Sequence, residues 1–299
     1  MENLDLTAFE RCTLCPRACG VDRRAGEKGF CGAGDTLRVA RAALHFWEEP
    51  CISGEKGSGT VFFAHCNLGC VYCQNYALSH EGFGREITPE RLREIYFELI
   101  GKGANNINLV TPTHYLPLIL PTLYDLPVPV VMNCGGYEEV ETIRACEGKE
   151  QIYLPDMKYA NSETAAAYSH APDYPEKALA AIKEMIRQVG RPVFGEDGLL
   201  RSGVIVRHMI LPNETRNSFA VIELLKNELE PGSFLFSLMS QYTPCGKAKE
   251  IKRISRRLTP SEYARVQKKL DEAGITDGYF QELSSAKEEY IPPFDLTGV

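Results

Sequence analysis

From residue 60 onward, short β-branched or aromatic runs alternate with stretches of helical periodicity, and this alternation constrains the fold most. Thr60–Ala64, Ile107–Val110, Val128–Met132, Ile152–Leu154, Val204–Ile210 and Phe234–Met239 read as strands. Helices are expected between them. Thr88-Pro89-Glu90 opens one with Thr at the N-cap and Pro at the first helical position, and Leu92, Ile95, Tyr96 and Leu99 keep its apolar spacing. Pro117 and Pro121 should kink or break the next one, over 115–124. Further helices are expected near 138–146, 162–169, 175–189 and 213–229. Thr259-Pro260-Ser261-Glu262 caps a last one that Gly274 ends. Gly195-Glu196-Asp197-Gly198 marks a small hairpin within 191–201. Six strand–helix units imply an α/β fold with parallel strands and right-handed crossovers. They are too few to close an eight-stranded barrel.

Each expected strand ends in polar or small residues. Thr111-Pro112-Thr113-His114 follows the second, Asn133-Cys134-Gly135-Gly136 the third and Asp156-Met157-Lys158 the fourth. Arg207 and His208 lie late in the fifth, and Gln241 and Tyr242 follow the sixth. In barrel-like α/β enzymes the C-terminal ends of the strands carry the chemistry. Arg207 and His208 point to opposite faces, and alternation among apolar neighbours does not say which faces the site.

After the first strand comes Cys66-Asn67-Leu68-Gly69-Cys70-Val71-Tyr72-Cys73, three cysteines in eight residues. Asn67 and Gly69 are loop formers, which disfavours three buried core thiols. A zinc site completed by His65 or His80 is open, although neither matches the usual paired spacing. A four-iron cluster held by three cysteines would leave one iron free for a small molecule. A second group, Cys12-x2-Cys15-x3-Cys19-x11-Cys31, lies in a Gly-rich stretch too short to bury a core of its own. Four thiolates there suggest closed tetrahedral zinc, which needs no redox partner, or a second, fully ligated iron–sulfur cluster. Cys51, Cys146 and Cys245 have no partner spacing and read as structural.

Cys66-x3-Cys70-x2-Cys73, with Tyr72 before the last cysteine, resembles the cluster loop of radical S-adenosylmethionine (SAM) enzymes. Nearly all of the chain resembles the pyruvate formate-lyase activating enzyme-like subgroup. The resemblance implies a partial (β/α)6 TIM-type barrel over 60–299, preceded by a cysteine-rich metal-binding segment over 1–59. It implies a [4Fe-4S] cluster on Cys66, Cys70 and Cys73 whose open iron binds SAM. Reductive cleavage then gives a 5′-deoxyadenosyl radical that abstracts hydrogen from a substrate. In the activating enzymes that substrate is a glycine of a partner glycyl radical enzyme, and the electron donor is of flavodoxin or ferredoxin type. Asp156-Met157-Lys158 resembles their Asp-x-Lys beside SAM, and a plain rim salt bridge is the alternative. Tyr72 resembles the aromatic that packs near the SAM adenine, and Asn75 is placed to bond the cluster loop. Thr111 and Thr113 stand where many members carry Gly-Gly-Glu, a departure that leaves hydroxyls and carbonyls to accept from the SAM amino group. Asn133 is expected near the SAM ribose or carboxylate, and Arg207 on the carboxylate. Radical modification of a small molecule or peptide, and a non-catalytic iron–sulfur or zinc protein, are the rival readings.

The charge balance, 33 basic against 40 acidic residues, gives −7 and argues against a nucleic-acid partner. No apolar run approaches the ~20 residues that span a bilayer. Met1-Glu2-Asn3-Leu4-Asp5 lacks the regions of a secretory signal, so a reducing cytoplasm is expected. Tyr115, Tyr137, Tyr159 and Tyr242 fall just beyond strand ends, where they form an aromatic rim for a peptide or simply cover the site.

Overall fold

A computed structural model describes residues 4–281 and 292–299. Met1 to Asn3, most of the stretch read for a signal sequence, lie outside them. The strands are β1 (Leu37–His45), β2 (Ser58–Phe63), β3 (Arg85–Ile87), β4 (Ile107–Val110), β5 (Val130–Cys134), β6 (Ile152–Pro155), β7 (Val193–Phe194), β8 (Leu200–Met209), β9 (Leu235–Met239) and β10 (Gly278–Phe280). They form one sheet in the order β10-β9-β8-β6-β5-β4-β2-β1-β3, with β7 paired to β8 off this path. The six expected strands are β2, β4, β5, β6, β8 and β9, and each pairs in parallel with the next.

Three strands were not expected. β10 extends the parallel order beside β9, while β1 and β3 close the other edge antiparallel. β1 is Leu-Arg-Val-Ala-Arg-Ala-Ala-Leu-His, a composition no richer in β-formers than in helix-formers. Its pairing with β2 supplies what local propensity does not. The expected boundary at 59/60 falls inside β2, and β1 joins residues before that boundary to the main sheet.

The helices are α1 (Pro50–Ser53), α2 (Tyr76–Ser79), α3 (Pro89–Gly101), α4 (Leu116–Ile119), α5 (Val140–Arg144), α6 (Ser162–Ser169), α7 (Tyr174–Val189), α8 (Thr215–Glu228) and α9 (Pro260–Ala273). As Pro117 and Pro121 foretell, the chain around α4 is broken into short α and 3-10 turns. No helix among the described residues is long and apolar enough to cross a membrane.

Strand alternation divides the core. Val130, Met132, Tyr153, Val204, Val206, Phe236 and Leu238 pack with the apolar faces of the helices. The alternate residues Val131, Ile152, Leu154, Ile205 and Leu235 form a second cluster with Cys51 and Ile52 of α1. Further along the same strands, that second face carries Asn133, Arg207 and Ser237 in place of apolar side chains. The sheet is therefore plugged by hydrophobes near one end and polar at the other.

Candidate active site

The polar end of that face opens into a cavity of about 220 Å³, lined in part by Asn133, Asp156, Arg207 and Gln241. Register places Asn133 beside Val110 and Arg207 beside Ser237, and a bridge joins Asp156 to Arg207. Arg207 donates through Nε to Asp156 Oδ1 at 3.1 Å, through Nη1 to Glu48 Oε2 at 3.2 Å and through Nη2 to Asn133 Oδ1 at 2.5 Å. The Lys158 ammonium pairs with the other oxygen of Asp156. Glu48 also accepts from Asn108 and Asn133, each at 3.2 Å. Two cations and two carboxylates thus form one hydrogen-bonded group, which offsets the cost of removing each charge from water.

The two carboxylates differ. Burial pushes Asp156 up, but Lys158 and Arg207 outweigh it and hold the group below its ordinary value. At Glu48 burial prevails over Arg207, and the pKa is raised. Burial opposes the Lys158 charge as well, and Asp156 overcomes it, raising that pKa. Asp156 is therefore the firm anion of the group.

Cys66, Cys70 and Cys73 line the same cavity. Their loop leaves β2 through His65 at φ +73° and turns at Gly69, φ +63°. Asn67 Nδ2 donates to Tyr137 O at 2.6 Å, and Val71 N to Tyr168 O at 2.9 Å. Arg17 reaches across from the N-terminal segment. Its guanidinium donates to the carbonyls of Asn67 (3.0 Å), Leu68 (3.2 Å), Ser169 (2.8 Å) and His170, and lies 3.7 Å over the Phe30 ring. Burial, then the neighbouring thiols, pushes Cys66 up to about 12. Burial and Cys70 push Cys73 up to about 11.

Tyr72, Asn75 and Thr111 line the cavity as well. Thr111 holds φ +59°, uncommon for a β-branched residue, and its N–H is fixed to Asn133 O at 2.8 Å. Thr113 is not brought to the cavity; it is fully buried, with Oγ1 unpartnered. His208 faces the helices, its ring bonded to Met157 O at 2.7 Å and Ser218 Oγ at 2.9 Å. Arg207 is thus the member of the pair that faces the cavity. The expected aromatic rim is corrected: Tyr115, Tyr137, Tyr159 and Tyr242 are each at most 2% exposed and pack in the core. Glu48 and Asn108 were missed. Glu48 sits in a loop before α1, where no local pattern sets it apart from Glu49; Asn108 interrupts an apolar strand, a signal that alternation carries.

Cys12 and Cys15 are buried, Cys31 half-buried and Cys19 exposed. Cys12 N donates to Val21 O and accepts through its carbonyl from Gly20 N, which folds the segment back on itself. Arg23 ties it to the turn after β4 through His114 O at 2.6 Å, and donates as well to Gly34 O just before β1. The Cys31 pKa is raised, chiefly by burial, with Cys12 and Cys19 adding to the effect. Among the described residues, no three His, Cys, Asp or Glu side chains converge as a single metal ion requires.

No family model matches the chain. It is 27% identical over 165 residues to uncharacterized protein MJ0808 of Methanocaldococcus jannaschii, covering 45% of this chain and 46% of that protein. The fold is similar to that of Streptococcus suis SuiB bound to precursor peptide SuiA, with a TM-score of 0.52, 10% identity, and 74% of this chain covered. SuiB bound to S-adenosylmethionine matches with a TM-score of 0.52 at 11% identity over 75% of this chain. The chain spans about half of SuiB, 48% and 50% in the two structures. Uncharacterized protein MJ0674 of M. jannaschii is 30% identical over 274 residues, covering 88% of this chain and 74% of the relative. The chain belongs to the family of MJ0674.

Proposed function

We propose that the protein is a radical SAM enzyme whose partial barrel holds a [4Fe-4S] cluster on Cys66, Cys70 and Cys73. The observation that carries this is one cavity at the polar strand ends, lined by three thiols of a single loop and by the Asp156–Lys158–Arg207 group. The donor set fits. Burial and the neighbouring thiols oppose the ionisation of Cys66 and Cys73, and a cationic centre would relieve that. When bound, the cluster and SAM would together supply a 5′-deoxyadenosyl radical, with one electron taken from an external donor and methionine as the leaving product. Arg207 offers a planar fork to the SAM carboxylate, and Asp156, the firm anion, suits its ammonium. Lys158 keeps Asp156 ionised. Asn133, Thr111 and Asn75 offer neutral donors and acceptors on the same wall, and Tyr72 an aromatic edge for the adenine.

The finer reading is an activase that makes a glycyl radical on a partner protein, supplied with electrons by a flavodoxin- or ferredoxin-type donor. It rests on the likeness of Asp156-Met157-Lys158 to the Asp-x-Lys of such enzymes. The fold shared with a protein solved with a precursor peptide supports a polypeptide substrate more broadly.

The test is anaerobic reconstitution with iron and sulfide, followed by SAM and reductant. We expect an absorption spectrum that changes with SAM, and release of 5′-deoxyadenosine. The variant with Cys66, Cys70 and Cys73 all changed to Ala should release none; cleavage persisting there would overturn the assignment. For the activase reading, deuterium on the partner's glycine should appear in 5′-deoxyadenosine. Deuterium arriving from a small metabolite instead, with no protein radical seen by electron paramagnetic resonance, would replace it.

A further inference from the structure

The cysteine loop is joined to a buried chain of hydroxyls. Ser169, the last residue of α6, places Oγ 3.0 Å from Cys70 Sγ. The Tyr159 hydroxyl lies 2.7 Å from Ser169 Oγ, and the Tyr72 hydroxyl 2.7 Å from that of Tyr159. Ser169 is wholly buried, as is Tyr159, and Tyr72 is nearly so.

The direction of this chain follows from its end. A thiolate can only accept, so Ser169 donates to Cys70. Its oxygen is then left to accept from Tyr159, which in turn accepts from Tyr72. All three hydrogen bonds point at one sulfur, in a buried setting where each polarises the next. The chain is also held from behind. Arg17 donates to the carbonyl of Ser169 itself and to those of Asn67 and Leu68 in the cysteine loop. The donor and the loop that carries its acceptor are thus pinned by a single guanidinium.

We infer that Ser169 is a positioning residue which, backed by Tyr159 and Tyr72, raises the reduction potential of the cluster bound through Cys70. The inference rests on the proposed cluster on Cys66, Cys70 and Cys73. A hydrogen bond to a ligating thiolate withdraws electron density from it and favours the reduced, more negative cluster. The step concerned is a one-electron reduction, with the electron taken from an electrode through mediators in the test, or from an external one-electron donor in turnover. No bond is made or broken in it. Cys73 also has a hydroxyl partner, Ser79, but that hydroxyl lies 2.8 Å from Nδ1 of the exposed His80 rather than in a buried hydroxyl chain, so the graded effect belongs to Cys70.

The experiment is spectroelectrochemical titration of reconstituted protein without SAM, with iron, sulfide and thermal midpoint measured on the same samples. Ser169→Ala should keep its cluster and move the midpoint potential to a more negative value. Tyr159→Phe should move it the same way by less, and Tyr72→Phe by least. A purely structural role would lower thermal stability or cluster content without that graded shift. A full cluster in Ser169→Ala at an unchanged potential overturns the inference, as does a larger shift in Tyr72→Phe than in Ser169→Ala. If Ser169→Ala fails to fold, Tyr159→Phe decides by the same criterion. Wild-type protein that takes up no cluster would overturn the proposed function itself, and this inference with it.

Discussion

Arg207 and His208 show what one residue's neighbours decide. The sequence places both late in a strand and alternation puts them on opposite faces, but both faces are apolar before them. Register resolves it: Arg207 sits beside Ser237 with Asp156 bridged to it, while His208 finds Ser218 on a helix. Removing the guanidinium leaves Asp156 and Glu48 without their shared partner. Arg207→Ala should therefore lower stability by about 3–5 kcal/mol, read by chemical denaturation, because a buried charge loses its pair. Glu150 predicts a pH effect. It is 2% exposed and neither oxygen has a hydrogen-bond partner, although the Cys146 thiol lies close. Burial raises its pKa to about 8. The native state thus keeps a proton that the unfolded state releases at ordinary carboxylate pH. Its contribution is complete below that range and is lost as pH rises towards and through about 8. Glu150→Gln should flatten the fall in stability between pH 5 and pH 8; equal slopes for variant and wild type would contradict this.

At the scale of elements, the sequence shows what has period and hides what has only partners. The helices over 89–101 and 260–273 were legible because a Thr cap and a Pro at the first helical position open both, and the six central strands because each is a short buried run. β1, β3 and β10 were not, since the edge strands β3 and β10 have three residues each and β1 has mixed propensity, so all three take their conformation from pairing. Thr259 and Glu262 cap α9 reciprocally, and Glu262 also accepts from Asn213 N at 2.7 Å. Thr259→Ala should cost about 1 kcal/mol by thermal or urea unfolding. Gly136 is a harder constraint. It lies at φ +80°, and a Cβ there would sit 2.0 Å from the Asp156 carbonyl oxygen. Paired glycines after β5 read as a close backbone approach, and almost as well as a plain strand-to-helix turn; in the structure the second lies against the end of β6. Gly136→Ala should push that end away and weaken SAM binding as well as stability, measured by calorimetric titration and denaturation. Unchanged affinity would mean that the Asp156 backbone has moved without the site.

Across the whole molecule, the N-terminal segment is bound to the candidate site rather than appended to it. Arg23 fixes it to the chain after β4, and Arg17 fixes it to the cysteine loop and to the end of α6. The cysteine spacing raised the expectation of a metal site there, but nothing local to Arg17 revealed its four hydrogen bonds to residues 50 and more positions away. If a metal on Cys12, Cys15, Cys19 and Cys31 orders this segment, its binding energy is in part folding energy of the segment that carries Arg17. Losing it would release the guanidinium from four carbonyls, two of them in the loop of Cys66, Cys70 and Cys73. Changing Cys12 and Cys15 together to Ala should therefore remove the second metal, lower the thermal midpoint and speed the loss of iron from the remaining cluster to a chelator. Arg17→Ala should speed that loss too while keeping the N-terminal metal. A closed four-thiolate site needs no redox partner, which favours zinc for the quartet, so metal analysis of wild type should give zinc beside four irons; iron and sulfide beyond one cluster would make it iron–sulfur instead. Chelation rates equal to wild type in both variants would mean that the two cysteine groups are merely neighbours.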